Sequence, residues 1–424
     1  MSLLRAGFYS AAATASRLLA GLVIVKLVAW FAGPEGVGKL GQFMSFMSLL
    51  AVLAGGGIST GLVKYIAEYR DDAQRLARLL GAALWYVLGA SLVMGVLTLL
   101  FSRQVAQWLL ADARYASLVR VLAAAQLGIA LANYVLAVIN GFMDVRRLAL
   151  VQVAGSVLNI ALVAWLAQWL HLYGALLALV VGQGLWLAVG LPAWWRSPYF
   201  QRAMLRVRFD RDMVGRLAAF SVMTLTAALV SPLVNIAVRD HLAAGLGWRQ
   251  VGYWQAVSRV SDAYLLFVTS AINVYYLPRL ASIADRAALR LELRQAFRVL
   301  LPLVTAMALV IYLARRWVTA VLFNADFAPA NDLYAPQLAG DVVKIASFVL
   351  SYLMLAKAMT RLFVVSECVF AASYLALVYA CTARLGLAGA VYAFALNYVL
   401  YLAFNLWMAR RYLGGQEPWP MPHR

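Results

Sequence analysis

Acidic residues are scarce in this chain. Its 424 residues include 17 Asp and Glu against 36 Lys and Arg, and charged residues of both signs make up only 12%. Cysteine is confined to Cys368 and Cys381, and histidine to His171, His241 and His423. Neither cysteine has a CxxC or Cys/His partner at metal-ligand spacing. Both read as small apolar packing residues, and no metal or cofactor is expected. No HExxH, GxSxG or P-loop pattern occurs, so the motif-bearing hydrolase and nucleotide-binding classes find no support. Long polar stretches are missing too, which leaves no room for a catalytic domain outside the apolar segments. A membrane enzyme such as a glycan polymerase or ligase is therefore disfavoured.

What the chain has is apolar surface. Hydrophobic residues make up 65% and the mean hydropathy is +0.81, well above the ~45–50% apolar content of soluble domains. The composition is that of an all-α polytopic membrane protein. The net charge of +19 does not point to nucleic acid, because most of the basic residues sit in short joins between apolar runs, where they set topology. Runs of spanning length lie near 6–32, 37–67, 77–101, 115–141, 146–170, 172–195, 213–239, 250–280, 291–314, 332–356, 361–383 and 386–410, about twelve in all. The first run is long and carries Arg17 and Lys26, so it reads as a retained helix rather than a cleaved leader. The join 315–331, RRWVTAVLFNADFAPAN, reads as a short interfacial helix and a turn. One alternating set of joins is far richer in arginine: Arg5; Arg70, Arg75 and Arg78; Arg146 and Arg147; Arg196, Arg202, Arg206, Arg208 and Arg211; Arg286 and Arg290; Arg361; Arg410 and Arg411. The excess places that set, and with it both termini, in the cytoplasm.

The longest of these joins, SPYFQRAMLRVRFDRD at 197–212, lies almost at mid-chain. It divides the sequence into an N-terminal lobe (1–196), a linker (197–212), a C-terminal lobe (213–412) and a tail (413–424). The two lobes look repeated. Shifted by 214 residues, 37–71 lies over 251–285 with Val37/Val251, Gly38/Gly252, Ile58/Ile272, Ala67/Ala281 and Asp71/Asp285 coincident. LYGALLA (172–178) matches LAGAVYA (387–393) at a shift of 215. Six helices per lobe give both lobes the same orientation. That predicts a pseudo-twofold axis along the membrane normal and a binding cleft between the lobes.

Charges inside the spans mark candidate site residues, since each costs on the order of 2.5–3.5 kcal/mol on insertion scales. They are Arg17 and Lys26 in span 1, Lys64 closing span 2, Arg239 closing span 7, Arg259 and Asp262 in span 8, Asp341 and Lys344 in span 10, and Glu367 in span 11. Arg259/Asp262 and Asp341/Lys344 are spaced i,i+3 and can screen each other as ion pairs. Two placements suit Lys64, Arg239, Arg279 and Lys357 near helix ends: reaching to headgroups, or joining a cationic cavity. Arg17 and Lys26 stand nine residues apart, ~13 Å along a helix, with no acid nearby, and suit a cavity wall. Asp144, in NGFMDVRR, reads as a helix-end residue rather than a proton carrier. The excess of Lys and Arg over Asp and Glu suits an anionic cargo with a phosphate-bearing head and a lipid tail. Asp262, Asp341 and Glu367 are the carboxylates available for ion pairing or ion coupling.

Four blocks carry a family resemblance: GPEGVG (33–38), AGGGISTGLVKYIAEYRDD (54–72), VGYWQAVSRVSDAYLLFVTSAINVYYLPRLA (251–281) and LAGDVVKIASFVLSYLMLAKAMTRLFVVSE (338–367). With them the chain resembles the Wzx-type lipid-linked oligosaccharide flippases of the multidrug/oligosaccharidyl-lipid/polysaccharide exporter superfamily, in particular the branch serving enterobacterial common antigen. The resemblance implies a twelve-helix, two-lobe transporter of the Gram-negative inner membrane. It would carry an undecaprenyl-pyrophosphate-linked oligosaccharide from the cytoplasmic to the periplasmic leaflet by alternating access through a cationic cavity. Lys26, Lys64, Arg239, Asp262, Asp341, Lys344, Lys357, Arg361 and Glu367 fall in matching blocks. Arg17 stands where the family pattern has lysine, and the tail GGQEPWPMPHR departs from the pattern. Implied partners are the glycan lipid, membrane lipids and the glycan polymerase and chain-length machinery, around a monomer. A drug or cation exporter of the same superfamily and a peptidoglycan-precursor flippase are the alternatives. The first would prefer acidic cavity residues, and the second usually has extra C-terminal helices.

Overall fold

The computed structural model describes residues 3–357 and 359–415. His423 and the tail beyond Gly415 lie outside the described residues, as does the side chain of Arg5. Among the described residues there are thirteen α-helices and no strand, so the all-α membrane architecture holds. The helices are α1 (Leu3–Ala54), α2 (Ser59–Tyr69), α3 (Ala73–Leu100), α4 (Ser102–Leu110), α5 (Ala116–Gly141), α6 (Val145–Trp195), α7 (Arg211–Leu246), α8 (Trp248–Ala271), α9 (Leu277–Ser282), α10 (Arg286–Leu322), α11 (Tyr334–Ala356), α12 (Thr360–Leu385) and α13 (Ala388–Leu413).

Among the described residues eight segments are long and apolar enough to cross a membrane. Two of them, in α1 and α6, are each interrupted once, at Gly33 (φ 62) and at His171 (φ 47). Gly33 takes a left-handed backbone that glycine accepts without a Cβ penalty, and Pro34 after it cannot donate to the preceding turn. Each interruption divides one long segment into two helical stretches. With α7 and α8, which cover the predicted runs 213–239 and 250–280 in large part, the described residues hold twelve long helical stretches, one for each apolar run.

Other boundaries differ from the sequence reading. The predicted span 37–67 is broken at Gly55–Ile58, between α1 and α2, and the predicted span 250–280 passes through a π-helical turn at Ile272–Tyr276 before α9. Residues 315–322 do not form a separate interfacial helix. They continue α10, and a 3-10 segment, Ala325–Leu333, follows. Arg315 and Arg316 do not stop the helix: Arg315 Nη1 donates to Tyr312 O of the preceding turn at 2.8 Å, and most of the apolar side chains around them are exposed.

Four of the scarce acids outside the spans serve as helix caps. Asp72 accepts from the backbone N–H of Gln74 and Arg75 at 3.1 and 2.9 Å, and Asp144 from Arg147 at 3.1 Å. Asp210 accepts from Met213 at 3.2 Å and Asp285 from Ala288 at 2.8 Å. Each satisfies an orphan donor at a helix start.

The chain forms two compact units, Met1–Ile236 and Ala237–Arg424, dividing within α7. In the first unit, Ile58, Leu62, Ile66, Leu79, Leu80, Tyr134, Val138, Trp194 and Leu217 form a buried core. The 197–212 linker is part of it. Met204 is 1% exposed in that core, the Arg208 N–H donates to Gly81 O at 3.3 Å, and the Phe209 ring sits edge-on to Trp85 at 4.8 Å. In the second unit α11 packs between α10 and α13, and α12 lies against α13.

The repeat is visible inside each unit. At the 214-residue shift Gly33 corresponds to Gly247, and both have positive φ, 62° and 85°. At the 215-residue shift His171 (φ 47) corresponds to Gly386 (φ 59). Gly174 and Gly389 also correspond. A Cβ on Gly174 would lie 2.1 Å from Leu166 O, and one on Gly389 2.4 Å from Cys381 O, and Leu166 and Cys381 are themselves equivalent at the same shift. Both units thus fold a helix back onto the one before it at a point where only glycine fits.

Candidate functional site

The second unit has a polar centre built on two facing stripes. On α11, Gln337, Asp341, Lys344 and Phe348 follow one another at helical spacing. On α13, Phe394, Tyr398, Tyr401 and Asn405 do the same. Such spacing puts each set on one helix face. Asp341 is fully buried, yet it is not alone: Tyr264 Oη on α8 donates to its Oδ2 at 2.9 Å and Gln337 Nε2 to its Oδ1 at 3.4 Å. One turn on, Lys344 is half-buried among three rings. Its Nζ lies 5.8 Å from the centroid of Phe348, 5.7 Å from Phe394 and 5.6 Å from Tyr398. Ring faces are negative and attract an ammonium, most strongly where water is thin. Lower on the same face, Tyr401 Oη donates to Glu367 Oε1 of α12 at 2.7 Å, and Asn405 Nδ2 to Ser347 Oγ at 2.9 Å.

Arg239, near the end of α7, is 5% exposed. Its guanidinium lies 5.4 Å from the Trp254 ring, and its Nε donates to Gln255 Oε1 at 2.8 Å. It is therefore a buried, partnered cation rather than one reaching to headgroups. Arg259 is half-buried and Asp262 exposed, and Asp262 is within electrostatic reach of both Arg239 and Lys344.

The two i,i+3 pairs do not close as ion pairs. No salt bridge joins Arg259 to Asp262 or Asp341 to Lys344 among the described residues. For Asp341 the reason is competition. The Tyr264 and Gln337 donors satisfy both of its oxygens, and the longer lysine chain reaches past it to the rings.

The first unit does not gather its cations. Arg17 and Lys26 are exposed on α1 and make no hydrogen bond or ion pair among the described residues. Lys64 is exposed on α2, with Nζ 5.3 Å from the Tyr65 ring. Lys357 is tied to the backbone: its Nζ donates to Ile283 O at 2.5 Å, and partial burial lowers its affinity for the proton. Arg361 is exposed at the start of α12, and Cys368 is exposed on that helix rather than packed. Asp144 is the helix-end residue expected. It caps α6, pairs with Arg147 and meets Tyr199 Oη at 3.5 Å, while Tyr199 stacks on Phe142 at 4.0 Å. Among the described residues no group of His, Cys, Asp and Glu could hold a metal ion.

Weighing only ionisable residues overlooked Tyr264, Gln337, Phe394, Tyr398, Tyr401 and Asn405. The signal was present in the spacing of aromatic and amide residues along α13, which repeats that of the charges along α11.

Residues 27–332 match the model of a family described as polysaccharide biosynthesis protein. The chain belongs to that family. It is 33% identical over 416 residues to the Lipid III flippase of Escherichia coli K12, covering 97% of this chain and all of that one, and matches the Shigella flexneri protein of the same name equally. Among solved structures it is similar to an inward-facing multidrug resistance MATE family transporter of the MOP superfamily, with TM-score 0.78, 15% identity and 94% of each chain covered. It is also similar to the Lipid II flippase MurJ in an inward closed conformation, with TM-score 0.73, 13% identity, and 95% of this chain and 87% of that one covered. At these identities the two structures establish a shared fold.

Proposed function

We propose that this protein is a flippase for a lipid-linked oligosaccharide. It would move an undecaprenyl-pyrophosphate-bound glycan from the cytoplasmic to the periplasmic leaflet of the Gram-negative inner membrane by alternating access. The observation that carries the proposal is the full-length likeness to the two Lipid III flippases, at one third identity with no part of those chains left uncovered. The polar centre supports it. Among the described residues no carboxylate forms a salt bridge with Lys344, and it is presented by rings that hold it without neutralising it. Such a group can bind a phosphate head that approaches, because no internal salt bridge must be broken first. Arg239 and Arg259 add positive charge on α7 and α8, which a cation exporter would not favour.

The protein's task is then transport rather than catalysis. A polar head carried through a lined interior avoids the cost of crossing hydrocarbon unpaired. Both termini are cytoplasmic on this reading, because the arginine-rich joins alternate with poor ones. Asp262, Asp341 and Glu367 are the candidates for ion coupling. The test is deletion of the chromosomal copy with radiolabelled glycan. Accumulation of the lipid-linked intermediate in the inner leaflet, reversed by the wild type and not by Lys344→Met, is the expected result. Normal surface glycan in the deletion strain together with altered tolerance to cationic drugs would overturn it in favour of an exporter.

A further inference from the structure

The first unit contains a cavity of about 340 Å³ between the second half of α1, α5 and the second half of α6. Met44, Met47, Ser48, Ala51, Ile129, Ala132, Asn133, Leu179, Gln183 and Trp186 line it. It falls at the lower end of the size range of small-ligand pockets. Two features set it apart from a packing defect. No lining residue is charged, and the side chains of Ser48, Asn133 and Gln183 make no hydrogen bond among the described residues. Trp186 is braced from behind: a Cβ on Gly155 would lie 2.7 Å from its Cε2 and 2.8 Å from its Nε1. The indole therefore stands against that wall, beside the half-buried amides of Asn133 and Gln183 and the exposed hydroxyl of Ser48, which make no hydrogen bond among the described residues.

The place of this cavity in the repeat is informative. At the 215-residue shift, Ile129 corresponds to Lys344, Ala132 to Ser347, Asn133 to Phe348, Leu179 to Phe394, Gln183 to Tyr398 and Trp186 to Tyr401. The cavity thus occupies the position in the first unit that the lysine cage occupies in the second. One copy of the repeat has filled the position with a cation and its rings. The other has emptied it of charge, left it open, and lined it with amides, a hydroxyl and one indole.

We infer that this cavity is a binding subsite for a neutral sugar ring of the transported head group. The chemistry of the lining points to that ligand class. Amide side chains both donate and accept, as vicinal hydroxyls do. An indole face is a large apolar platform for the C–H face of a pyranose. Alanine, leucine, isoleucine and methionine complete a wall that can adapt its shape. A polyprenyl chain would leave the half-buried amides of Asn133 and Gln183 unsatisfied, and a phosphate would find no cation. The inference rests on the flippase reading, which supplies a cargo with a glycan head.

The test uses the full-length protein. Cys368 and Cys381 are replaced by alanine and Ala132→Cys is introduced as a reporter in the cavity wall. Its alkylation by a small thiol reagent is followed in nanodiscs with glucose, N-acetylglucosamine or glucuronic acid added. Several-fold slowing by a neutral sugar, with a smaller effect of the acid, is the expected result. Equal slowing by the acid, or no slowing by any sugar, would overturn the assignment of a neutral sugar site. A cellular arm separates this inference from the flippase reading. Trp186→Leu and the Asn133→Leu/Gln183→Leu double variant should lose most glycan transport at normal membrane levels, and Trp186→Phe should retain it. If Trp186→Leu and the double variant transport normally while Lys344→Met does not, the subsite falls and the flippase stands. If the wild type does not restore the deletion strain, the flippase reading falls with it.

Discussion

Tyr264 on α8 donates its hydroxyl hydrogen to Asp341 on α11 across 2.9 Å, and no cation takes part in the contact. A fully buried carboxylate is thus held by a neutral donor, with Gln337 on its other oxygen. The arrangement leaves Lys344, one turn away, free of the acid that its sequence spacing offers. On the proposed reading the roles divide accordingly: Asp341 ties α8 to α11, and Lys344 is left for a ligand.

Tyr264→Phe is expected to destabilise the purified protein by about 1–3 kcal/mol, the cost of leaving a buried acceptor short of its donor. The Asp341→Asn/Tyr264→Phe double variant should recover part of that loss, because a neutral amide tolerates burial better than a carboxylate. Thermal unfolding in detergent measures both. A Tyr264→Phe protein that melts with the wild type would show that the contact contributes nothing.

Lys344 should behave in the opposite way. Lys344→Met removes a charge that has no ion partner, so stability is expected to hold or rise slightly. Transport should fall by about tenfold or more, the loss that goes with a charge-assisted contact of roughly 1.5–3 kcal/mol. Lys344→Arg should retain part of the activity, since the planar guanidinium also sits on rings. Tyr398→Phe should be mild and Tyr398→Leu severe, because the ring face rather than the hydroxyl holds the ammonium. Melting temperature and glycan transport, measured on the same variants, separate the two effects.

A pH dependence is expected at the join between α6 and α7. Burial, and then the charge of Asp144, push the Tyr199 hydroxyl up to about 12 from its ordinary value of 10. A group with a raised folded pKa contributes stability that is complete below the unfolded pKa and is lost as pH rises through the folded one. The contribution of Tyr199 to the clamp it forms with Phe142, Asp144 and Arg147 should therefore be complete up to pH 10 and be lost between about 10 and 12. Limited proteolysis of the 197–212 linker should accelerate across that window in the wild type. In Tyr199→Phe the pH step should disappear. A step that survives the substitution would assign it to another group.

The helical segments and the repeat were legible in the sequence, because they rest on long apolar runs and on residues at constant shifts. Gly33 and Gly247 mark the same break in both units for that reason. What the sequence did not reveal was the choice of partners. Spacing of i,i+3 places Asp341 and Lys344 on one face, but the side chains contributed by α8 and α13 decide which contacts form. Tyr264 lies 77 positions before Asp341, and nothing local to α11 announces it. Arg239 was open between headgroup and interior for the same reason, since Trp254 and Gln255 come from the next helix.

The equivalent glycines give the sharpest test of the repeat. Gly174→Ala would place a methyl 2.1 Å from Leu166 O, and Gly389→Ala one 2.4 Å from Cys381 O. In both cases the obstacle is backbone, which cannot swing aside as a flexible side chain can. Each single substitution should therefore force the folded-back helices apart and cost several kcal/mol, at the upper end of what single changes do. Gly184, with no neighbour near its missing Cβ, lies in the second half of α6 and serves as the control. Gly184→Ala should be neutral or slightly stabilising, as alanine favours a helix by up to ~1 kcal/mol over glycine. Membrane yield and thermal unfolding of the three variants decide the matter. Equal tolerance of all three would mean that the close approach at Gly174 and Gly389 is not what fixes the turn.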